Sequence, residues 1–518
     1  MRDTLLAYDL GTGGNKASLY DADGCLLAAS FVPYATHYPQ AGWHEQRPEK
    51  WWDSLVQSTR ELLASGRVDP AGIRCLAISG HSLGCVPLDA RGRLLRQTTP
   101  IWSDQRAVAQ AARFLDRVDV ARWYRLTGNG FPPPHYTIFK TLWYRDCEPE
   151  MFGRVDKIVG TKDYLNYRLT GRIATDFSYA SGCGAYDLLR WDYDDELLAA
   201  AELPRRLLPE IIPSTAILGP LTNEAALALG LPAGIPVACG GVDNSCMALG
   251  ARNTAEGSIY ASLGSSMWIA VSSQRPLLDD TVKPYVFTHV IPGMFNSAVA
   301  IFSGGTSLRW VRDQLCREIV AQCAQQGADP YDRMLTLAEQ SPVGSRKLLF
   351  NPSLAGGSSL EPSSHIRGAF CGLDLGHAQA DVIRATVEGI SLNLRLALDE
   401  LRRLGHVVEE MIVVGGGSRS AIWRQILADT LEINVLKTNV GQDAGSLGAA
   451  AVAAVACGLW SDFGRMKQVH RVESVSRPRP ENVAVYRRLL PVFRQTREYL
   501  ARIGDALAGK ANDATVPP

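Results

Sequence analysis

Apolar and polar positions alternate in short runs along this chain, and many runs end at glycine or at a cluster of polar residues. Residues 5–8 and 17–20 are apolar and flank the glycine-rich stretch 11–14, which predicts two strands joined by a tight turn. Residues 257–272 repeat the pattern around the turn Leu-Gly-Ser-Ser at 263–266. One hairpin design used twice, far apart in the chain, predicts a duplicated domain.

Helical and strand patterns follow each hairpin. Apolar residues recur at helical spacing in the segments 48–65, 107–125, 138–145, 380–404, 422–431 and 443–457. Short apolar runs predict strands at 73–78, 99–106, 411–414 and 433–437. The segment 303–307 opens a further helix, and the free N–H groups of a helix N-terminus form a ready anion site.

Length and composition indicate a soluble protein of at least two domains. The 518 residues exceed what one hydrophobic core usually serves, and 46% apolar with 20% charged residues is typical of globular proteins. Lys+Arg and Asp+Glu number 53 each, so the chain has no excess positive charge of the kind that binds nucleic acid or a membrane surface. No apolar run approaches the roughly 20 residues of a membrane span, and the N-terminus reaches Asp9 too soon for a signal peptide. The eleven scattered cysteines predict reduced, mostly buried thiols, so we expect a cytoplasmic enzyme.

The first glycine turn carries residue types suited to phosphate. Its glycines let backbone N–H groups converge on an anion. Asp9 closes the first strand, where a carboxylate could hold hydrated Mg²⁺, and Lys16 could offer a positive charge to the phosphates. An ordinary hairpin with a polar turn would give the same pattern. A second carboxylate, Asp243, lies at the end of the apolar run before the second hairpin.

Three short motifs stand out in the chain: D-x-G-T-x-x-x-K at 9–16, G-G-V-D-N at 240–244 and S-L-G-S-S at 262–266. Together they resemble the FGGY family of carbohydrate kinases, in its xylulokinase-like branch. The segment 368–388 resembles the family's C-terminal signature. The N-terminal signature near 135–143 fits in part, since Thr137, Lys140 and Trp143 match while His135 and Thr141 depart.

The resemblance implies an α/β fold of two actin-like (ribonuclease-H-like) ATPase domains flanking a catalytic cleft. We expect a sugar-binding domain at 1–250, a nucleotide-binding domain at 251–500 and a flexible tail at 501–518. The implied activity is ATP- and Mg²⁺-dependent phosphorylation of a hydroxyl of a small sugar, with a ketopentose of the xylulose or ribulose type favoured. No G-x-x-x-x-G-K-[ST] loop and no H-R-D loop occurs, which argues against P-loop and protein-kinase mechanisms.

The resemblance also assigns roles in the phosphate chemistry. Asp243 would be the base that accepts the hydroxyl proton, although it could instead cap the following helix. Asp9 and Asp243 would hold Mg²⁺. The nucleotide and its phosphates would be bound by Thr12, Gly13, Lys16, Gly264, Ser265, Gly305, Gly415, Gly416 and Ser420. Some relatives have asparagine near the adenine amino group where this chain has Ser420 and Ala421, so base selectivity stays open.

The sugar or polyol acceptor would contact His81, Ser82, Leu83, Trp102, Asp104, Arg106, His135, Asn244 and Trp268. Asp104 and Arg106 could instead form a surface ion pair, either histidine could be structural, and Trp268 could belong to the core. Xylulokinases commonly show G-Q-M-H-G where this chain has G-H-S-L-G at 80–84, so Leu83 replaces a histidine. A missing hydrogen-bond partner for a hydroxyl would disfavour D-xylulose, unless His81, Ser82 or His135 reaches that hydroxyl.

Other interpretations of function stay open. The acceptor could be a polyol or another sugar of the glycerol, erythritol or deoxyketose type. A sugar-binding relative that lost catalysis is a second alternative, which the intact Asp9, Lys16 and Asp243 argue against. A chaperone- or actin-type ATPase would leave the acceptor motifs unexplained. The sequence does not give the sugar, the hydroxyl or the oligomeric state, for which a homodimer is one option.

Overall fold

The computed structural model describes residues 3–66 and 69–509. Its β-strands are β1 (Thr4–Leu10), β2 (Gly14–Asp21), β3 (Leu26–Pro33), β4 (Glu45–Gln46), β5 (Ile73–Gly80), β6 (Val86–Leu88), β7 (Thr99–Pro100), β8 (Lys157–Val159), β9 (Thr175–Asp176), β10 (Tyr186–Asp187), β11 (Asp192–Tyr193), β12 (Ile211–Ile212), β13 (Ile217–Pro220), β14 (Pro236–Ala238), β15 (Gly241–Val242), β16 (Ile259–Leu263), β17 (Met267–Ser273), β18 (Tyr285–Thr288), β19 (Phe295–Ile301), β20 (Leu349–Asn351), β21 (Ala369–Cys371), β22 (Glu410–Val414), β23 (Asn434–Thr438) and β24 (Val472–Ser476).

Its α-helices are α1 (Pro48–Ala64), α2 (Val108–Leu115), α3 (Val120–Thr127), α4 (Thr137–Cys147), α5 (Pro149–Phe152), α6 (Thr161–Thr170), α7 (Phe177–Ala180), α8 (Asp195–Ala200), α9 (Asn223–Leu229), α10 (Asp243–Gly250), α11 (Gly305–Leu315), α12 (Arg317–Gln326), α13 (Pro330–Ala338), α14 (Gln379–Arg403), α15 (Ala421–Leu431), α16 (Ala444–Ala456), α17 (Met466–Val469) and α18 (Pro480–Leu507). Among the described residues, no helix combines the length and the apolar character that crossing a membrane requires.

Two compact units make up the chain, and each is discontinuous in sequence. Unit 1 comprises the residues up to Ser258 together with Ser272–Ser297 and Asp443–His470. Unit 2 comprises Ile259–Val271, Ala298–Gln442 and the residues from Arg471 onward. A division at residue 250, as the sequence suggests, does not include the two later segments that return to unit 1.

The sheet of unit 1 begins with the predicted hairpin. β2 and β1 pair antiparallel, β1 and β5 pair parallel, β5 and β14 pair parallel, and β14 and β13 pair antiparallel. β3 extends the sheet beyond β2, and β15 pairs with β5. The apolar face packs against α1, whose buried positions Trp51, Leu55 and Leu62 recur at helical spacing.

The sheet of unit 2 has the same plan. β17 and β16 pair antiparallel, β16 and β22 pair parallel, β22 and β23 pair parallel, and β23 and β24 pair antiparallel. These five strands repeat the order and the directions of β2, β1, β5, β14 and β13. The predicted duplication of an α/β domain is therefore confirmed.

Three predicted segments differ from the structure. The helical pattern at 107–125 is two helices, because Asp119 starts α3 as its N-cap and accepts a hydrogen bond from the Arg122 amide at 2.7 Å. The strand predicted at 99–106 is only Thr99–Pro100, and a turn follows. Helix α18 continues to Leu507, past the predicted start of the tail, while residues 510–518 lie outside the described residues. All eleven cysteines are free thiols and seven are buried, as predicted.

Candidate active site

Unit 1 brings two predicted carboxylates to one edge of its sheet. Asp9 lies opposite Ser79 of β5 and opposite Lys16 of β2, and Ser79 lies opposite Gly241 of β15. Because β1, β5 and β15 run parallel, their carboxyl ends meet at the same edge. Asp243, which directly follows β15, therefore emerges beside Asp9.

Asp9 is partly exposed and accepts a hydrogen bond from the neighbouring strand β5. The Ser79 hydroxyl donates to Asp9 Oδ1 at 3.0 Å. Burial raises the pKa of Asp9, Ser79 and Lys16 lower it, and Asp443 raises it further. Helix α16 reaches the same carboxylate at Gly445, where an added Cβ would lie 2.5 Å from Asp9 Oδ2. A side chain larger than glycine at position 445 would displace Asp9.

Lys16 pairs with a residue that sequence reasoning missed. Its Nζ donates to Asp443 Oδ1 at 2.7 Å, and both side chains are partly exposed. The sequence marks Asp443 only as the start of a small-residue helix. Those small residues let α16 approach α10 closely, since a Cβ on Gly448 would lie 1.8 Å from the Cys246 carbonyl. The close packing fixes the end of α16 that carries Asp443.

Asp243 is the first residue of α10 and has an unusual pKa. Its Oδ1 accepts a hydrogen bond from the Asn244 amide at 2.8 Å. Burial raises the pKa of Asp243 to about 7, with Asp9 adding to the rise and the Asn244 amide opposing it. The N-cap position is Val242, without a side-chain cap, so Asp243 is not the helix cap of the alternative interpretation. Gly240 permits the turn, because a Cβ there would lie 2.2 Å from the Ile78 carbonyl.

The predicted phosphate turn contacts the predicted acceptor segment. Thr12 Oγ1 accepts a hydrogen bond from Trp102 Nε1 at 2.9 Å, and the Thr12 carbonyl accepts one from Gln46 Nε2 at 2.7 Å. Gly13 is exposed, and a Cβ placed there would meet no atom within 4 Å. Gly13 is therefore accessible to solvent, whereas Thr12 is held in place by hydrogen bonds from Trp102 and Gln46.

Two histidines of unit 1 are buried and neutral. Burial lowers the pKa of His81 to about 3, with Lys140 adding to the fall and a backbone hydrogen bond at Ser82 opposing it. Its ring stands edge-on to Trp51 at 5.5 Å. His135 Nδ1 lies 3.0 Å from the Trp102 carbonyl, and burial lowers its pKa to about 4. Ser82, next to His81, is also buried.

Asp104 and Arg106 form a buried pair, not the surface pair of the alternative interpretation. Both side chains are 0% exposed, and Arg106 Nη2 donates to Asp104 Oδ2 at 2.8 Å. The other partners are the His44 amide at 2.7 Å from Asp104 and Glu45 at 2.7 Å from Arg106. The guanidinium also lies over the Trp43 ring at 4.0 Å. Protein groups therefore occupy much of the hydrogen-bonding capacity of this pair.

The remaining predicted acceptor residues have mixed surroundings. Leu83 is 1% exposed and belongs to the apolar core. A Cβ on Gly182 would lie 2.9 Å from Leu83 Cδ2, which shows how closely Leu83 is packed. The Asn244 carbonyl accepts from Asn296 Nδ2 at 3.2 Å. Trp268 lies in unit 2, where its Nε1 donates to the Tyr260 hydroxyl at 2.9 Å.

Unit 2 contains a cavity of about 420 Å³ that gathers five of the predicted nucleotide residues. Its lining includes Gly264, Ser265, Gly305, Gly416 and Ser420. The loops that carry them are joined directly, since the Gly305 amide donates to the Gly264 carbonyl at 3.0 Å. Ser420 also caps α15 by accepting from the Trp423 amide at 3.2 Å.

Gly415 supports this cavity from behind. Its φ of 88° is one that glycine adopts freely, and a Cβ there would lie 3.0 Å from Leu263. The rest of the lining was not predicted: Leu263, Leu308, Arg309, Asp329, Tyr331, Asp332, Leu335, Gly417, Arg419, Trp423 and Gln442. A mix of flat, apolar and polar side chains is typical of small-molecule sites of this size. The spacing of Tyr331 and Leu335 on one face of α13 was the signal available in the sequence.

Within residues 3–66 and 69–509, no three His, Cys, Asp or Glu side chains are grouped as a protein-only metal cage would require. Asp9 and Asp243 are the two carboxylates that meet at the sheet edge. Mg²⁺ is usually held by one or two carboxylates together with water and substrate phosphates. The pair is therefore chemically compatible with a hydrated magnesium ion.

Comparison of the chain with protein-family models identifies its family. Residues 4–250 match the N-terminal domain, and residues 259–457 the C-terminal domain, of the FGGY family of carbohydrate kinases. The chain belongs to this family. It is 31% identical to the xylulose kinase of Lactococcus lactis subsp. lactis over 510 residues, which cover 97% of this chain and 98% of that protein.

Solved structures agree. The ligand-bound xylulose kinase of Lactobacillus acidophilus superposes with a TM-score of 0.87 at 26% identity, covering 98% of this chain and all of that one. The gluconate kinase of the same organism also gives 0.87, at 25% identity and the same coverage. This FGGY protein thus has the expected two-domain actin-like fold and is a carbohydrate kinase that phosphorylates a sugar at the expense of ATP.

Proposed function

We propose that this FGGY kinase transfers the γ-phosphoryl group of ATP to a hydroxyl of a ketopentose of the xylulose or ribulose type. The observation that carries the proposal is Asp243, a carboxylate with a pKa of about 7 beside Asp9. A base with such a pKa is partly ionised at neutral pH and can still take up a proton. The similarity to xylulose kinases favours a ketopentose as the acceptor.

Asp243 is the proposed general base. Its carboxylate accepts the proton of the acceptor hydroxyl as that oxygen bonds to the γ-phosphorus. The bond from the γ-phosphorus to the bridging oxygen of the β-phosphate breaks, and ADP leaves. The Asn244 amide, at 2.8 Å, holds the carboxylate in one orientation.

Positive charge and N–H groups are proposed to bind the phosphates. Lys16 carries the charge, and its bond to Asp443 fixes the position of its Nζ. Thr12 and Gly13 contribute from the same turn. From unit 2, Gly264, Ser265 and Gly305 are proposed to bind the phosphates of the nucleotide, and Gly415, Gly416 and Ser420 its adenosine.

Mg²⁺ is the proposed metal, with Asp9 and Asp243 as the residues that would hold it. Burial and the Asp443 carboxylate raise the pKa of Asp9, and Asp9 in turn adds to the rise in the pKa of Asp243. A site with excess negative charge fits a divalent cation. When bound, Mg²⁺ would neutralise charge on the phosphate oxygens.

His81, Ser82, Trp102, His135 and Asn244 are the proposed acceptor contacts. A neutral histidine such as His81 can donate to one hydroxyl and accept from another. Asp104 and Arg106 are proposed to stabilise the segment that carries Trp102 and not to contact the acceptor, since each is buried and paired. Leu83 is proposed to fill the core below the loop, and a contact of Trp268 with the acceptor stays a proposal from the family resemblance.

A second candidate acceptor is an aldonate such as gluconate. The gluconate kinase of Lactobacillus acidophilus matches this chain as well as the xylulose kinase does by TM-score. Leu83, in place of the histidine common in xylulokinases, also leaves the ranking of acceptors open. A polyol acceptor is a further alternative.

The test is an acceptor screen that measures ADP release. The purified chain is incubated with ATP, Mg²⁺ and one compound at a time: D-xylulose, D-ribulose, L-xylulose, L-ribulose, D-gluconate, glycerol or erythritol. We expect a ketopentose to give the highest kcat/KM, and EDTA to abolish turnover. A higher kcat/KM with gluconate or a polyol would contradict the proposal of a ketopentose acceptor. Absence of turnover with every compound would contradict the proposal that the chain is catalytically active. We also propose a cytoplasmic setting. We further propose a homodimer, which light scattering of the purified protein would check.

A further inference from the structure

The irregular segment between β5 and β6 is held by one face of helix α4. Leu83 in this segment has a φ of 58°, which is uncommon for a residue other than glycine. The carbonyl groups of 83, 84 and 85 accept hydrogen bonds from Lys140 at 2.9 Å, Thr137 at 3.2 Å and Tyr144 at 3.0 Å. These three donors are three and four residues apart in sequence, which places them on one side of the helix. Helix α4 therefore satisfies three successive buried carbonyls that no strand pairs.

Lys140 makes a second bond that connects this segment to another. Its Nζ also donates to the Ile101 carbonyl at 2.7 Å. The side chain is 0% exposed, and in the described part of the chain it forms no ion pair. Lys162, an equally buried lysine of unit 1, has Asp163 at 2.6 Å and Asp176 at 3.0 Å. Burying an ammonium group against carbonyls alone is costly, and an apolar side chain would avoid that cost.

Both segments that Lys140 joins carry proposed acceptor contacts. Leu83 directly follows His81 and Ser82, and Ile101 directly precedes Trp102. His135, just before α4, also contacts the Trp102 carbonyl, at 3.0 Å. A shift of either carbonyl would move the side chains on both segments.

We propose that Lys140 is a positioning residue of the acceptor site, which holds the loops of His81 and Trp102 in register through the carbonyls of Leu83 and Ile101. The inference rests on the proposed function, because the acceptor contacts belong to it. Lys140 does not touch the acceptor. Its charge strengthens both hydrogen bonds, so the protonated side chain is the form that fixes the loops.

The surroundings of Lys140 predict a specific dependence on pH. Burial lowers the pKa of Lys140 to about 8, Asp104 and Cys85 oppose this, and Arg106 adds to it. The facing histidines stay neutral in this range, because burial lowers the pKa values of His44, His81 and His135. Burial also raises the pKa of the Cys85 thiol to about 11. Between pH 7 and 9.5, Lys140 is the group of this cluster that loses its proton.

The experiment measures the KM for the best acceptor and the KM for ATP between pH 7 and 9.5. For the unmodified enzyme we expect the acceptor KM to rise about tenfold and the ATP KM to stay constant. Lys140→Met should raise the acceptor KM at pH 7 by roughly ten- to a hundredfold, the scale of a small misplacement of substrate. Lys140→Gln keeps two N–H donors but no charge, so its acceptor KM should be intermediate. Both variants should lose the pH dependence.

Tyr144→Phe is the matched control, since it removes an uncharged donor to the same segment and should keep the unmodified pH dependence. An acceptor KM that stays flat in the unmodified enzyme, or that still rises with pH in Lys140→Gln, overturns the inference. The flat profile decides the question even if the variants do not fold. A chain that phosphorylates no compound of the screen instead overturns the proposed function, and the proposed role of Lys140 fails with it.

Discussion

At the residue scale, Asp243 has a raised pKa that suits the proposed proton transfer but opposes folding. Its pKa is about 7 in the folded chain against an ordinary value of 3.8. Between these values the folded state holds a proton that the unfolded state has released. The contribution of this group to the free energy of unfolding is therefore complete below pH 3.8 and is lost as the pH rises to 7.

Asp243→Asn should therefore stabilise the ligand-free protein at pH 8. Asparagine keeps an oxygen for the Asn244 amide and carries no charge to bury. We expect a gain of about 1.4–4 kcal/mol at pH 8, the equivalent of one to three pKa units, which shrinks towards zero at pH 4. Thermal unfolding in EDTA across this pH range measures it. Asp194→Asn, which exchanges one N-cap residue for another on α8, is the control and should show no such pH-dependent gain.

Leu83 is the second residue with a specific expectation. Its side chain lies in the apolar core, so Leu83→Ala should destabilise the protein by about 2–5 kcal/mol. The ranking of acceptors should not change, because the side chain does not face an open site. Denaturant unfolding and the acceptor screen check both parts. A changed ranking with little loss of stability would restore Leu83 as the residue that distinguishes sugars.

Some site residues could be predicted from sequence and others could not. Asp9 and Asp243 stand out because each ends an apolar strand beside glycine, where the chain must turn. The Lys16–Asp443 bond could not be found, because its partners are 427 positions apart and their meeting depends on how α16 packs. The burial of Asp104 and Arg106 could not be predicted either, because a buried charged pair and an exposed one have the same spacing in the sequence.

At the scale of elements, α16 links helix packing to the candidate active site. Its small residues allow close contact with α10, and Gly445 leaves room for the Asp9 carboxylate. Gly445→Ala should lower kcat/KM by roughly ten- to a hundredfold, because a Cβ at 2.5 Å from Asp9 Oδ2 forces the carboxylate away. Gly441→Ala, where a Cβ meets no atom within 4 Å, is the matched control. Equal activity of the two variants would contradict the role of Gly445.

Strongly periodic elements were predictable, while interruptions were not. α1, α14, α15 and the two hairpins follow directly from apolar spacing. The break between α2 and α3 depends on Asp119, and any aspartate within a helical pattern could equally stay inside a helix. The segment after Thr99 looked like a strand because it is apolar at first, but the strand ends at Pro100 and the Asp104 amide donates back to the Ile101 carbonyl at 3.1 Å in a turn.

At the scale of the molecule, the duplicated sheet was predictable from its two glycine hairpins. The composition of the two units was not. Residues 272–297 and 443–470 belong to unit 1 although unit 2 residues precede them in the chain, and the amino-acid composition does not change where the chain passes from one unit to the other. The proposed catalytic residues Asp9, Lys16 and Asp243 lie in unit 1 with Asp443, whereas the 420 Å³ cavity is lined by residues of unit 2.

The central claim is that Asp243 takes the acceptor's proton in an ATP-dependent transfer whose nucleotide cavity lies in unit 2. Its most direct test compares Asp243→Asn with the unmodified enzyme, using the best acceptor at saturating ATP and measuring ADP affinity in parallel. The account predicts a fall in kcat of about 10²–10⁴-fold with ADP affinity unchanged. A folded Asp243→Asn variant that turns over at a near-normal rate would contradict it.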